Sequence, residues 1–398
     1  MEKIKKIVEN VYKEMLPIRR DFHAHPELSE QEERTAEKIS EYLTAWNIPH
    51  IKNVAGHGIV ATIEGKRPAN NSQQYKVLGI RADIDALPIQ EKNDVPFKSQ
   101  NPGIMHACGH DIHTTALLGT AKVLKQLEDE VNGTVKFFFQ PSEETIGGAD
   151  QMIKAGCLEN PNTDAVLAFH VAPELPCGTV EFRKGKMNAA SCEFSITVTG
   201  RSCHGAHPHL GSDPILAASQ IVVGLQSIVS RKLAPVNTGL ITVGKFEAGS
   251  KGNIIPSEAK LTGIIRALDN DTRTFLKDSL KSFAENTALA LGTTTLVQFK
   301  DSYPALENDK EMTEIMVSVA EKLFPEENIK YMSAPSLGAD DFSYFTQATK
   351  GIYFNIGTLR ENETIPQSLH NEYYNPDEDS IRIGMLMEVA GVFEILSK

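Results

Sequence analysis

Cysteine is scarce in this sequence, and what there is lies scattered: Cys108, Cys157, Cys177, Cys192 and Cys203 are odd in number and follow no regular spacing. That is no disulfide framework, which excludes the small secreted scaffolds that depend on one. Long apolar runs are missing too. No stretch is long enough to span a bilayer, and the opening MEKIKKIVENVYKEML carries acidic residues where a signal peptide needs an apolar core. A cytoplasmic location is the expectation. Positive charge is the third shortage: 40 Lys and Arg stand against 52 Asp and Glu, a formal net charge of -12, with no basic patch. A nucleic-acid partner is therefore not expected. Internal repeats and low-complexity tracts are absent as well. What remains is ordinary globular composition, 41% hydrophobic and 23% charged over 398 residues, enough for two domains with substantial cores.

One stretch stands out from that background. Residues 105–113, Met-His-Ala-Cys-Gly-His-Asp-Ile-His, gather three imidazoles, a thiol and a carboxylate, and Gly109 lets the chain turn tightly between thiol and second imidazole. Soft thiolate, borderline imidazole and hard carboxylate in one short loop are the ligand mix of a zinc-like or manganese-like transition metal.

The surrounding chain reads as a frame for that loop. Apolar spacing predicts a helix over 3–21 and a second ending near Trp46, with Ser29 and Glu32 as its capping box. Strands are expected over 58–64 and 77–84, with a polar surface loop over 67–74 between them. A helix over 114–131, a strand over 134–139, a helix over 147–156 and a strand over 165–169 ending on His170 follow. This alternation implies an α/β catalytic domain with a largely parallel sheet flanked by helices. Ligands of such sheets bind beyond the carboxyl ends of the strands, where Asp83, Asp85, Glu143, Glu144 and His170 fall.

From residue 187 the pattern changes. Strand 191–199, helix 214–232, strands 240–246 and 259–267, helix 272–291 and strand 294–299 have the order of a ferredoxin-like α+β domain, inserted over 187–302. Residues 1–186 and 303–398 then form the catalytic domain, the latter with a helix over 309–324, a strand over 351–355 and a last helix from Asp377.

Cys108, His110, Glu144, His170 and His370 outnumber the needs of one metal and leave acids over, which points to a two-metal hydrolytic site. A carboxylate outside the ligand set must act as general base. Glu143 and Glu144 supply one of each, because neighbours on an extended segment point opposite ways; spacing does not say which is which. Other residues have plainer readings. His23 and His25 fit polar turn residues, His106 and His113 structural ones, and His207 and His209 surface ones. Asp340 and Asp341 suit capping of a helix at Phe342 as well as a substrate role. Arg266 is expected to clamp a substrate carboxylate with Asn253 nearby.

Five ordered motifs, His25-Pro-Glu-Leu-Ser29, Arg81-Ala-Asp-Ile-Asp-Ala-Leu-Pro88, residues 105–113, Gln140-Pro-Ser-Glu-Glu144 and His204-Gly-Ala-His-Pro208, resemble the aminoacylase/carboxypeptidase family of co-catalytic metallopeptidases. Within it the chain is most similar to the branch of N-acyl-amino-acid amidohydrolases, hippurate hydrolases and plant auxin-conjugate hydrolases. The resemblance implies two divalent ions per subunit (zinc, manganese, cobalt or nickel) held by Cys108, His110, Glu144, His170 and His370. It makes Glu143 the base and Asp85 the orienting aspartate. It further implies a homodimer through the inserted lid domain, with His204 steadying the oxyanion. Ser202-Cys203 stands where a small glycine-rich pair commonly precedes that histidine, which bears on lid packing or acyl selectivity. The expected reaction is hydrolysis of an N-acyl amino acid, with a dipeptidase or carboxypeptidase of the same mechanism as alternative. A cysteine hydrolase built on Cys108 leaves His170, His370 and both glutamates without work, and a catalytically dead metal-binding protein does not need Glu143.

Overall fold

The computed structural model describes residues 1–67, 73–363 and 365–398, so residues 68–72 of the expected polar loop lie outside the described part. The chain divides into two compact units, one of residues 1–185, 307–334 and 341–398, the other of residues 186–306 and 335–340.

The first unit opens with α1 (Glu2–Ala24), whose buried Val8, Val11, Met15, Ile18 and Phe22 recur at helical spacing. In α2 (Glu33–Ala45) the expected capping box does not form. Ser29 instead donates to Asp85 Oδ2 at 2.6 Å, while Glu27 accepts from the amides of Arg34 at 3.0 Å and Thr35 at 2.7 Å. Donation to the buried Asp85 carboxylate fixes the serine hydroxyl away from the helix start, and the Glu27 carboxylate takes the free helix amides instead. Strands β1 (His50–Val54), β2 (Gly58–Glu64) and β3 (Val77–Asp83) follow. Every residue of β3 is buried, as a central parallel strand covered on both faces requires.

Helix α3 (His110–Gln126) begins four residues before the expected Thr114 and stops short of Val131. Gly109 sets its start, at φ +84°. A Cβ there would stand 2.5 Å from Val171 Cγ2, so both backbone and packing demand glycine. Then come β4 (Thr134–Gln140), α4 (Gly148–Lys154), β5 (Ala165–Pro176) and β6 (Val180–Phe182). His170 thus lies inside β5, not at its end. The strand continues because a later neighbour pairs with it from Ala165 to Pro176.

In the second unit, β7 (Ala190–Thr199), α5 (Pro214–Ser227), β8 (Gly239–Ala248), β9 (Glu258–Ala267), α6 (Asn270–Ala290) and β10 (Thr294–Asp301) succeed one another. The strands form an antiparallel sheet ordered β8-β9-β7-β10, the ferredoxin-like arrangement. Alternate β7 residues Cys192, Phe194, Ile196 and Val198 meet Ile221, Leu225, Leu276 and Leu280 of the two helices in a separate core.

The first unit resumes with α7 (Lys310–Leu323), β11 (Ile329–Tyr331), α8 (Phe342–Ala348), β12 (Lys350–Leu359) and α9 (Asp379–Ile395). Its eight-stranded sheet runs β1-β2-β4-β3-β5-β12-β6-β11. The central β4, β3, β5 and β12 are mutually parallel, with antiparallel pairs towards the flanks. The sheet is mixed and mainly parallel, flanked by helices. No helix among the described residues is long and apolar enough to cross a membrane.

Candidate metal centre

The tight turn at Gly109 puts Cys108 just before α3 and His110 at its first position. Cys108 Sγ lies 3.5 Å from His170 Nε2, and His170 Nδ1 bonds the Val171 carbonyl at 2.8 Å. That bond places the proton on Nδ1 and turns the Nε2 lone pair towards the thiol. Cys108, His110 and His170 bring ligating atoms within 4.8 Å of one another, and so do Cys108, Glu144 and His370. Cys108 belongs to both triads. His370 takes the left-handed region, φ +62°, anchored by its amide on Ala107 O at 2.9 Å, and its Nε2 stands 3.3 Å from Glu144 Oε1.

Two aspartates hold His110 and its neighbour. Asp85 receives His110 Nδ1 on its backbone carbonyl at 2.9 Å and on Oδ1 at 3.2 Å, while its Oδ2 takes the Glu144 amide at 3.0 Å. One buried carboxylate therefore orients an imidazole and the Glu144 backbone together. Asp83 bonds His113 Nδ1 at 2.6 Å, and His113 Nε2 accepts from the Val171 amide at 3.1 Å. Both ring nitrogens of His113 are occupied, which fits its structural reading.

Glu143 and Glu144 are not on an extended segment as expected but in a turn. Ser142, at φ +59°, folds the chain, and its carbonyl accepts from Gly147 at 3.1 Å and Gly148 at 3.2 Å. The two glutamates consequently do not point opposite ways. Their carboxylates and the His110 ring nitrogen all lie within 4.8 Å of one another.

Two plainer readings also change. His23 is no turn residue: it is buried in α1 and bonded to Asp111 at 2.7 Å and Glu91 at 3.2 Å, with Arg19 beside it. Asp341 precedes α8 but its side chain does not cap it; the carboxylate accepts from Arg81, Gln140 and the Ala149 amide instead. Buried donors from three segments claim it first. The sequence placed Asp83 at the ligand-binding end of its strand without a specific role, and it assigned no site role to Ser29, Arg81 or Gln140. The available signal was alternation, because Arg81, Asp83 and Asp85 share one face of an extended segment.

The remaining candidates lie in the second unit. His204 is exposed, pairs with Ile254 in a two-residue strand, and accepts the Ala206 amide on Nδ1 at 3.0 Å. Asn253 lies next to it, its carbonyl taking the Gly205 amide at 2.8 Å. Arg266 is not nearby: it is at the far end of β9, opposite Ser191 and bonded to the Ser191 hydroxyl. Eight residues of strand, roughly 26 Å, separate it from the Asn253 end. Within one chain the expected joint clamp does not form.

The donor set fits divalent cations. His110 Nε2 and Glu144 Oε1 are buried, 3.9 Å apart, and without a hydrogen-bond partner among the described residues. Burial opposes a charge on His110, but Asp83, Asp85 and Glu144 outweigh it and push the imidazole up to about 10. Burial, followed by Glu144 and Glu143, pushes the Cys108 thiol well above its ordinary value. The negative field that keeps protons on both groups is the field that draws in a dication, and a dication reverses both effects.

Comparison with known proteins agrees with this chemistry. The model of peptidase family M20/M25/M40 matches residues 79–390. The hippurate hydrolase of Campylobacter jejuni is 36% identical over 357 residues, 90% of each chain. An N-acetyl-L-cysteine deacetylase of Bacillus subtilis is 35% identical over 370 residues, 93% of this chain and 85% of that one. Among solved structures, the YXEP protein of Bacillus subtilis, a dinuclear metal binding peptidase from the M20 family, superposes with a TM-score of 0.83 at 30% identity, covering 98% of this chain and 99% of that one. The chain belongs to peptidase family M20/M25/M40 and is a hydrolase of amide bonds.

Proposed function

We propose that the protein cleaves N-acyl amino acids to a carboxylic acid and a free amino acid, using two divalent ions held by Cys108, His110, Glu144, His170 and His370. The observation that carries this reading is the pair of ligand triads sharing Cys108, with a second buried glutamate alongside. When bound, the ions polarise the amide carbonyl and make the attacking water more acidic. Glu143 takes a proton from that water and delivers it to the amide nitrogen as the C–N bond breaks, so the acyl carbon gains OH and the amine gains H. Asp85 keeps the His110 tautomer that leaves Nε2 free for a metal. His204 donates to the developing oxyanion, and in a homodimer joined through the second unit it would serve the partner's site. Arg266 binds the substrate carboxylate, and Asn253, standing beside His204, would, like it, serve the partner's site.

The test is a panel of N-acetyl, N-benzoyl and other N-acyl amino acids, with dipeptides included, incubated with metal-loaded protein and scored for released amine. Chelation should abolish turnover, and zinc, manganese, cobalt or nickel should restore it. Full activity in a demonstrably metal-free sample, or release from dipeptides alone, would overturn the reading.

A further inference from the structure

Behind the metal centre lies a buried guanidinium with no part in the chemistry described so far. Arg81 on β3 is 2% exposed, and its three nitrogens reach three different segments. Nε donates to Gln140 Oε1 at 2.7 Å, one terminal nitrogen to Asp83 Oδ2 at 2.7 Å, and the other to Asp341 Oδ1 at 2.6 Å. Gln140 closes a ring by donating to Asp341 Oδ2 at 2.7 Å, and that oxygen also takes the Ala149 amide at 3.0 Å.

Each of these bonds ends one step from a catalytic group. Gln140 is the last residue of β4, with only Pro141 between it and the Ser142–Glu143–Glu144 turn. Ala149 is the second residue of α4, the helix that follows the turn, so the ring grips the turn at entry and exit. Gly148, beside Ala149, has no room for a side chain, since a Cβ would fall 1.8 Å from the Pro141 carbonyl. The middle of the turn is held from elsewhere, by Glu32 on the Ser142 amide at 2.8 Å and Asp85 on the Glu144 amide at 3.0 Å. Asp83 carries the other branch: it bonds His113 at 2.6 Å and receives the Thr114 hydroxyl on its carbonyl at 2.9 Å, fixing the first turn of α3 and with it His110.

We propose that Arg81 is a positioning residue that holds the Glu143–Glu144 turn and the His110 end of α3 in mutual register, acting through the Gln140–Asp341 ring on one side and Asp83 on the other. Only a planar fork with donors in three directions satisfies Gln140, Asp83 and Asp341 together; an ammonium keeps the charge and loses the geometry. Arg81 also neutralises two buried carboxylates, and an Asp341 oxygen lies within 4.8 Å of one on Glu143. An unbalanced anion there would push the base away from its place.

This proposal rests on the amidohydrolase reading, and two variants test it against that background. Arg81→Lys keeps the charge, whereas Gln140→Met leaves all charges in place and removes both Gln140 bonds of the ring, the one from Arg81 and the one to Asp341. In both, kcat should fall roughly 10–100-fold, the range in which displacements near 1 Å act. KM and a count of two metals per chain should stay close to wild type, while the melting temperature falls by a few degrees because buried donors and acceptors lose partners. The visible absorption of the cobalt(II)-loaded variants, which reads ligand geometry without substrate, should differ from that of the wild-type cobalt form. Should Arg81→Lys fail to fold, the charge-neutral Gln140→Met decides. Wild-type kcat and cobalt spectrum in folded Gln140→Met would overturn the proposal, as would a loss of kcat fully accounted for by a lower folded fraction. Wild-type protein that takes up no cobalt(II) would overturn the amidohydrolase reading itself, and this proposal with it.

Discussion

Replacing Glu388 by glutamine should flatten the dependence of stability on pH between mildly acid and mildly alkaline conditions. Glu388 lies on α9 at 1% exposure, its Oε2 receives the Thr120 hydroxyl at 2.6 Å, and its Oε1 has no hydrogen-bond partner among the described residues. Burial raises its carboxyl from 4.5 to about 8, with the Thr120 bond working the other way. A carboxyl raised in the folded state keeps a proton that the unfolded chain releases. The stability it contributes is complete below about pH 4.5 and is lost progressively as pH rises to about 8. Each pH unit inside that window is worth about 1.4 kcal/mol, so the step from pH 5.5 to pH 8 removes roughly 3 kcal/mol. In a unit of this size that is about 5 °C of melting temperature. Glutamine cannot ionise, and its amide still accepts the Thr120 hydroxyl, although the added donor is left without a partner and lowers stability by a similar amount at every pH. Thermal melts of wild type and Glu388→Gln across pH 5.5–8 measure this directly. The two curves should converge or cross as pH rises. Parallel curves would mean that Glu388 is ionised throughout and that burial does not govern its proton.

Three further predictions concern the metal centre. Glu143→Gln should retain both metals while kcat drops roughly 10²–10⁴-fold, the usual worth of a general base, whereas Glu144→Gln should lower metal content; elemental analysis showing the reverse pattern would exchange the two roles. Cys108 should react with an alkylating agent more slowly in metal-loaded than in metal-free protein, because a liganded thiolate is shielded, and equal rates would remove it from the ligand set. Homodimers of His204→Ala and of Glu143→Ala should each be nearly inactive, yet recover activity on mixing under conditions of subunit exchange. Exchange verified by mass with no activity regained would confine His204 to its own chain or exclude it from catalysis.

Much of the architecture was legible because it rests on local rules. Near-continuous apolar runs bounded by turn residues marked β3 and β4, and the change to alternating strands at Ala190–Thr199 marked a second kind of sheet. The residues of both candidate triads stood out in the sequence as well, since a thiol, imidazoles and paired glutamates concentrated in short polar motifs have few other uses. Tertiary structure decided how the polar side chains share their partners. Ser29 left its expected capping role for Asp85, Asp341 turned to Arg81 and Gln140, and His23 became a buried partner of Asp111. Only the folded chain also revealed that Glu143 and Glu144 occupy a turn and that Arg266 lies at the end of β9 remote from Asn253. The reason is physical. Hydrophobic periodicity depends on residues three or two positions apart, which the sequence displays. A buried hydrogen bond goes to whichever charged partner the fold brings within 3 Å, and Ser29 with Asp85, or Arg81 with Asp341, meet only once strands far apart in the chain have paired.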